Sequence, residues 1–316
     1  MSTTLVADIG GSNTRLAVAG RTGRAEHVHA FANDSVPGLV AAIGDYLTRM
    51  ESMGQRPDAA VLAVAGPVQG RRIVLTNRAW EIDLDAIQHR FSFRYVRALN
   101  DFEALAWALP WFEPEDVRQL GPALPVRNGT KAVLGPGTGL GVAALLPEGH
   151  SWFALATEAG HMSFGPATRD EWAVFARIAE EVEAVSAETV LSGPGLERLY
   201  RVMHPDRPAL PAQTIEAEAN VGEAAARATV ELFVRLLGRF AGDIALSFKA
   251  MGGVYIAGGV AAKLGRRIDA KIFRKAFVTH PPHAHLLEGI PTLLVTCDEP
   301  GLFGCAAYAA NAVGEY

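Results

Sequence analysis

The sequence predicts an α/β protein in two lobes, a small α/β lobe followed by a larger α+β lobe. Three observations carry that reading. The chain has 316 residues, more than the ~100 to 200 of a usual single domain. Its first third alternates apolar runs with one helical span: LVADIG from Leu5, RLAVAG from Arg15, a helical stretch from Pro37 to Met53, then AAVLAVAG ending at Gly66. From Lys131 a second strand set opens with KAVLGPGTGLGVAALL. Longer helical stretches follow it, the clearest running from Gly222 to Phe248 with apolar residues at helical spacing.

Pro110, Pro114, Pro122 and Pro125 cluster between these halves. Each removes a backbone donor and fixes φ, so neither a continuous helix nor a central strand suits the stretch. The boundary is placed near Pro110, giving lobes of residues 1–110 and 111–300. The late GLFGCAAYAANAV reads as a small-residue helix that must pack on something. ADIGGSNTRLAVA and LGPGTGLGVAALL share a pattern of strand, glycine turn with a hydroxyl residue, and strand, a hint of duplication.

Composition narrows the partners. Apolar residues are 49% and charged residues 20% of the chain, as in an ordinary globular protein. A net charge of -5 gives no broad positive field, so no nucleic acid and no anionic membrane is expected as partner, and a small molecule is favoured. Cys297 and Cys305 are too few for a disulfide framework or a four-cysteine zinc site and read as reduced thiols. The opening MSTTLVADIGG lacks the basic and long apolar regions of an export signal, and no apolar run approaches the ~20 residues of a spanning helix. The expected location is cytoplasmic.

Six motifs hold polar chemistry. In the first turn Asp8 ends a strand, and Gly10, Gly11, Ser12, Asn13 and Thr14 connect tightly to the next. Glycines let consecutive N–H groups converge on an anion such as an ATP phosphate, while Asp8 could hold a water shell around Mg2+. A plain hairpin explains the same residues. The second turn, GPGTGLG from Gly135 to Gly141, makes the same offer with Gly137, Thr138 and Gly139. No lysine follows its glycines and no helix follows it directly, which rejects the Walker and dinucleotide patterns. VYIAGGVAAK puts Gly258 and Gly259 between strand and helix, suited either to a flat nucleoside or to close packing.

RYVRALNDFEALAWAL places Asn100 and Asp101 where a strand gives way to a helix. Asp101 is either a helix N-cap or a carboxylate poised to take a proton from a substrate hydroxyl. Asn100 can donate to and accept from sugar hydroxyls. TEAGHMSFGP offers Glu158 and His161 in a glycine-flanked loop, too few for zinc; they are either a pair for a polyol or a surface carboxylate with a solvated or core-capping histidine. In VSAETVLSGPGLERLY, Ser186 and Ser192 signal two helix starts, and Glu188 is either a first-turn acid or a third carboxylate for hydroxyls.

Taken in order, ADIGGSNTRLAVA, TNRAW at Thr76, LNDFEALAWALP, GPGTGLGVA, TEAGHMSFGP, SAETVLSGPGL, VYIAGGVAAK and DEPGLFGCAAY resemble the bacterial glucokinase family of the actin-like and hexokinase-like ATPase superfamily. The resemblance implies a two-lobed actin-like ATPase (ribonuclease H-like) fold with the active site in the cleft, residues 301–316 returning to the small lobe, and a homodimer. It implies ATP and Mg2+ as cofactors and glucose as substrate. The ATP-binding residues it carries over are Ala7, Asp8, Ile9, Gly10, Gly11, Ser12, Gly137, Thr138, Gly258, Gly259 and Val260. The glucose ligands are Asn100, Asp101, Glu158, His161 and Glu188, with Asp101 as catalytic base on the 6-hydroxyl.

Two departures stand out. Ala7 sits where the family commonly has glycine, and TEAGH replaces a GEGGH-like run, so Thr157 and Ala159 are expected either to stiffen the sugar loop or to narrow the site. The alternatives are a kinase for another hexose and an actin-like ATP-binding protein without sugar kinase activity.

Overall fold

A computed structural model describes residues 3–20, 23–75 and 80–312. Residues 76–79 of the TNRAW run and 313–316 of the final segment lie outside them. The chain divides into two compact units, one made of Met1–Glu113, Glu148–Ala154 and Cys297–Tyr316, the other of Pro114–Pro147 and Leu155–Thr296.

The first unit is built on β1 (Thr4–Ile9), β2 (Asn13–Ala19), β3 (Ala25–Ala32), β4 (Ala59–Val64) and β7 (Val96–Asn100). Between the last two come β5 (Arg72–Val74) and β6 (Glu81–Asp83), which pair separately. The main sheet runs β3-β2-β1-β4-β7, with β1 antiparallel to β2 and parallel to β4. Every residue of β4 is buried, as expected of a central parallel strand covered on both faces. Helix Leu39–Ser52 buries Leu39, Ala42, Ile43, Tyr46 and Met50, an apolar stripe at helical spacing. The sequence reading has no counterpart for β3. Its AEHVHAFA is mostly exposed, so there is no clean alternation to betray it.

Helix Pro300–Ala312 packs on helix Asp101–Ala108 and on β1. Gly304 makes this possible, since a Cβ there would collide with the carbonyl oxygen of Ala104. Cys305 is fully buried against β1, its thiol donating to the Ala7 carbonyl at 3.5 Å, and neither it nor Cys297 forms a disulfide.

The second sheet is built on β8 (Val117–Gln119), β9 (Lys131–Pro136), β10 (Leu140–Glu148), β11 (Ser151–Thr157), β12 (Val254–Ile256) and β13 (Thr292–Val295), all of it in the second unit save Glu148 and the Ser151–Ala154 part of β11. They are ordered β11-β10-β9-β12-β13-β8. Here too an antiparallel hairpin, β9 and β10, is followed by two parallel neighbours, β12 and β13. The two glycine turns thus occupy equivalent places in two sheets of like order. Helix Ala224–Ser247 forms the spine of this unit's core, burying Phe233, Leu236, Leu237, Phe240 and Ile244.

Candidate active site

In the first unit the β1–β2 turn is closed by Gly10 N–H donating to the Asn13 carbonyl at 3.0 Å. Asn33, fully buried, then fixes its shape: Nδ2 donates to the carbonyls of Gly10 (2.8 Å) and Gly11 (3.1 Å), and Oδ1 accepts from Thr14 Oγ1 at 2.7 Å. A buried amide is held in place only when its donors and acceptors are satisfied. The turn is therefore preorganised. Ala7 and Ile9 point into the core with no exposure, so only their backbone is available to a ligand, while Ser12 is exposed.

The β1–β2 register sets Asp8 opposite Arg15. The Arg15 guanidinium lies 3.9 Å from Asp8 and 2.5 Å from Glu299. Burial pushes the Asp8 carboxyl up to about 6; Arg15 opposes this, while the nearby Asp101 and Glu299 carboxylates add to it. Glu299 holds a positive φ of 53° just before helix Pro300–Ala312. A Cβ on Gly301 would lie 3.0 Å from the Asp8 carboxyl carbon, so a side chain there would press on that carboxylate.

The cap at the end of β7 is Asn100, not Asp101. Asn100 is in the extended region (φ -60°, ψ 151°), and its Oδ1 accepts from the N–H groups of Phe102 (3.0 Å) and Glu103 (3.3 Å). Its Nδ2 donates to Gly66 O at 3.1 Å. Glu103 completes a capping box by accepting from Asn100 N–H at 3.2 Å, and burial raises the Glu103 carboxyl above its ordinary range. Asp101 is thereby the first helical residue, half-buried, with one oxygen accepting from Phe102 N–H at 2.9 Å. Capping is the role of its neighbour.

In the second unit the β9–β10 turn is closed by Gly137 N–H on the Gly139 carbonyl at 2.8 Å, and Gly193 N–H donates to the Gly137 carbonyl at 2.8 Å. Thr138 at the tip is exposed. Gly258 has φ 84° and caps helix Gly259–Leu264; a Cβ there would sit 2.5 Å from Pro136 O. A Cβ on Gly193 would lie 3.9 Å from the Val260 side chain. Gly137, Gly193 and the Gly258 to Val260 run therefore converge. Ser192 and Pro194 begin helix Gly193–Met203, as the sequence indicates, but Gly193's place beside the turn has no signal there beyond that helix start.

Glu158 and His161 flank the short turn Ala159–His161, both side chains largely exposed and 3.9 Å apart. The loop is firmly based. Thr157 Oγ1 donates to Val142 O (2.9 Å) and accepts from Ala159 N–H (3.3 Å), so the threonine ties the loop's entry to β10. Gly160 lies against Leu140 O too closely for any Cβ. Farther along, Phe164 N–H donates to Val185 O and Ala187 N–H to Met162 O, both at 3.0 Å. Those bonds join the loop to helix Ala187–Val190, capped by Ser186, which presents Glu188. One Glu188 oxygen accepts from Leu140 N–H at 2.8 Å, so this carboxylate also fastens the glycine hairpin.

Known proteins bear on this arrangement. The profile of the family described as Glucokinase matches residues 5–312. The chain is 38% identical over 312 residues to the "Bifunctional protein glk" of Burkholderia orbicola, covering 97% of this chain and 48% of that one. It thus spans about half the length of these bifunctional relatives. It is 36% identical over 316 residues to the glucokinase of Tolumonas auensis, covering 98% of each. The solved glucokinase of an Antarctic psychrotroph is similar in fold, with a TM-score of 0.89 and 32% identity across 98% of both chains. Its architecture is the actin-like ATPase fold of the sugar kinases. With a matching profile, full-length relatives and a shared fold in agreement, the chain belongs to the glucokinase family.

Proposed function

We propose that the chain is a glucokinase, transferring the γ-phosphoryl group of MgATP to the 6-hydroxyl of glucose. The observation that carries this is Asp101: a carboxylate at the first helical position, where Asn100 supplies the cap, and near enough to Asp8 to add to the rise of that carboxyl. Asp101 accepts the 6-hydroxyl proton as that oxygen bonds to phosphorus and the bond from phosphorus to the β–γ bridging oxygen breaks, releasing ADP. Ala7 to Ser12, Gly137 and Thr138 supply phosphate contacts, and Gly258, Gly259 and Val260 the nucleoside contact. Asn100, Glu158, His161 and Glu188 hold the sugar hydroxyls together with Asp101.

Mg2+ fits Asp8, whose charge is disfavoured by burial and by two neighbouring carboxylates. Asp8 would hold the ion through water, beside the phosphates of the nucleotide. When bound, the ion neutralises phosphate charge. No helix among the described residues is long and apolar enough to cross a membrane. A cytoplasmic homodimer goes with the proposal, and sedimentation at micromolar concentration tests the dimer.

The deciding experiment is ADP release from MgATP with glucose, fructose, mannose, galactose, N-acetylglucosamine or no sugar. Release with glucose alone is expected. Release with another hexose alone would reassign the substrate, and release indifferent to sugar would make the chain an ATPase.

A further inference from the structure

Beyond the sugar ligands, the loop that carries Glu158 and His161 continues through Phe164, Gly165, Pro166 and Ala167. Two charged side chains hold this stretch. Glu171, only 2% exposed, accepts from Ala167 N–H at 2.8 Å. Arg239, on the long core helix Ala224–Ser247, donates to Gly165 O at 2.7 Å and lays its guanidinium 4.1 Å from the Phe164 ring centre. The two are joined, Arg239 Nη2 lying 3.5 Å from Glu171 Oε2, and Arg235 adds an ion pair to the other Glu171 oxygen at 3.2 Å. Phe164 is wedged against Phe175 and Phe240, with ring centres 6.2 and 5.7 Å away.

Burying such a cluster is expensive, and apolar residues of like volume often stabilise a fold as well or better. What apolar residues could not do is satisfy the Gly165 carbonyl and the Ala167 N–H, which a glycine-proline loop leaves without a ladder of its own. The cluster thus fixes backbone position. Through the bonds of Met162 and Phe164 to Ala187 and Val185, that position is shared with Glu188.

We propose that Glu171 and Arg239 are positioning residues for glucose, clamping the loop so that Glu158, His161 and Glu188 are held at the spacing that the sugar hydroxyls require. This rests on reading those three as glucose ligands. A misplacement of about 1 Å suffices to weaken such a site severely.

The test uses Glu171→Gln and Arg239→Lys in the full chain, with thermal melting and separate KM values for glucose and ATP, alongside Glu158→Gln. Both clamp variants are expected to melt cooperatively and to raise the glucose KM roughly tenfold, with the ATP KM within about twofold of the parent. Unchanged glucose KM in both, while Glu158→Gln raises it, overturns the clamp and leaves the ligand assignment standing. Unchanged glucose KM in Glu158→Gln overturns the ligand assignment and the clamp with it. Equal losses in both KM values and kcat, or failure of both variants to fold, would make the cluster a stability element and end the proposal.

Discussion

At the level of single residues, Asp8 near the end of β1 faces Arg15, and Asp101 opens the helix that Asn100 caps. Asp8 is pushed up to about 6 by burial, so the ligand-free protein carries its charge at a cost when the pH is neutral. Asp8→Asn is expected to raise the melting temperature of the ligand-free protein at pH 7.5 while turnover falls steeply; a lower melting temperature would show the charge to be stabilising. Asp101→Asn is expected to lower kcat by about a hundredfold or more with both KM values nearly unchanged, as loss of a general base should. Near-native kcat would remove Asp101 from that role. Glu103 has a pH signature of its own. Its folded pKa is raised, so the folded state binds the proton more tightly than the unfolded chain, and stability is lost as pH rises above the ordinary 4.5. Urea melts of Glu103→Gln should lack that loss as pH rises above 4.5. The candidate site's polar residues drew notice as Asp, Glu and His at helix starts and in glycine loops, and took their proposed roles from the family resemblance, whereas Asn33 drew none. An asparagine acting on carbonyls 22 and 23 residues away leaves no local pattern.

Among the elements, strands β1, β2, β4, β9 and β10 and the long helix Ala224–Ser247 could be read from apolar runs and periodicity, and the two serine caps from local chemistry. The capping of helix Asp101–Ala108 could not, because Asn and Asp are equally good caps and adjacent in the chain; only the extended conformation of Asn100 decides. Close helix contacts were also invisible. Gly304→Ala should destabilise the first unit by about 3 kcal/mol, since the added methyl meets Ala104 backbone that cannot rotate aside. Guanidinium unfolding measures this, and a change under about 0.5 kcal/mol would show that the helix pair can separate at little cost.

On the scale of the whole molecule, each unit has its own apolar core, one centred on β1 and β4, the other on helix Ala224–Ser247. The like strand order of the two sheets was only hinted at by their glycine turns, because sheet order depends on pairings between residues far apart in sequence. A nonhydrolysable ATP analogue at a hundred times its Kd should add about 2.7 kcal/mol of stability, and no shift in melting would deny nucleotide binding. The placing of the cysteines has a practical consequence. Both belong to the first unit, and Cys305 is sealed beneath its last helix, so the second unit has no thiol at all. A colorimetric thiol reagent would therefore work as a stopwatch for one half of the protein: Cys297 would set the early signal, and the delayed reaction of Cys305 would time how often that helix lifts from β1, whatever the other half is doing.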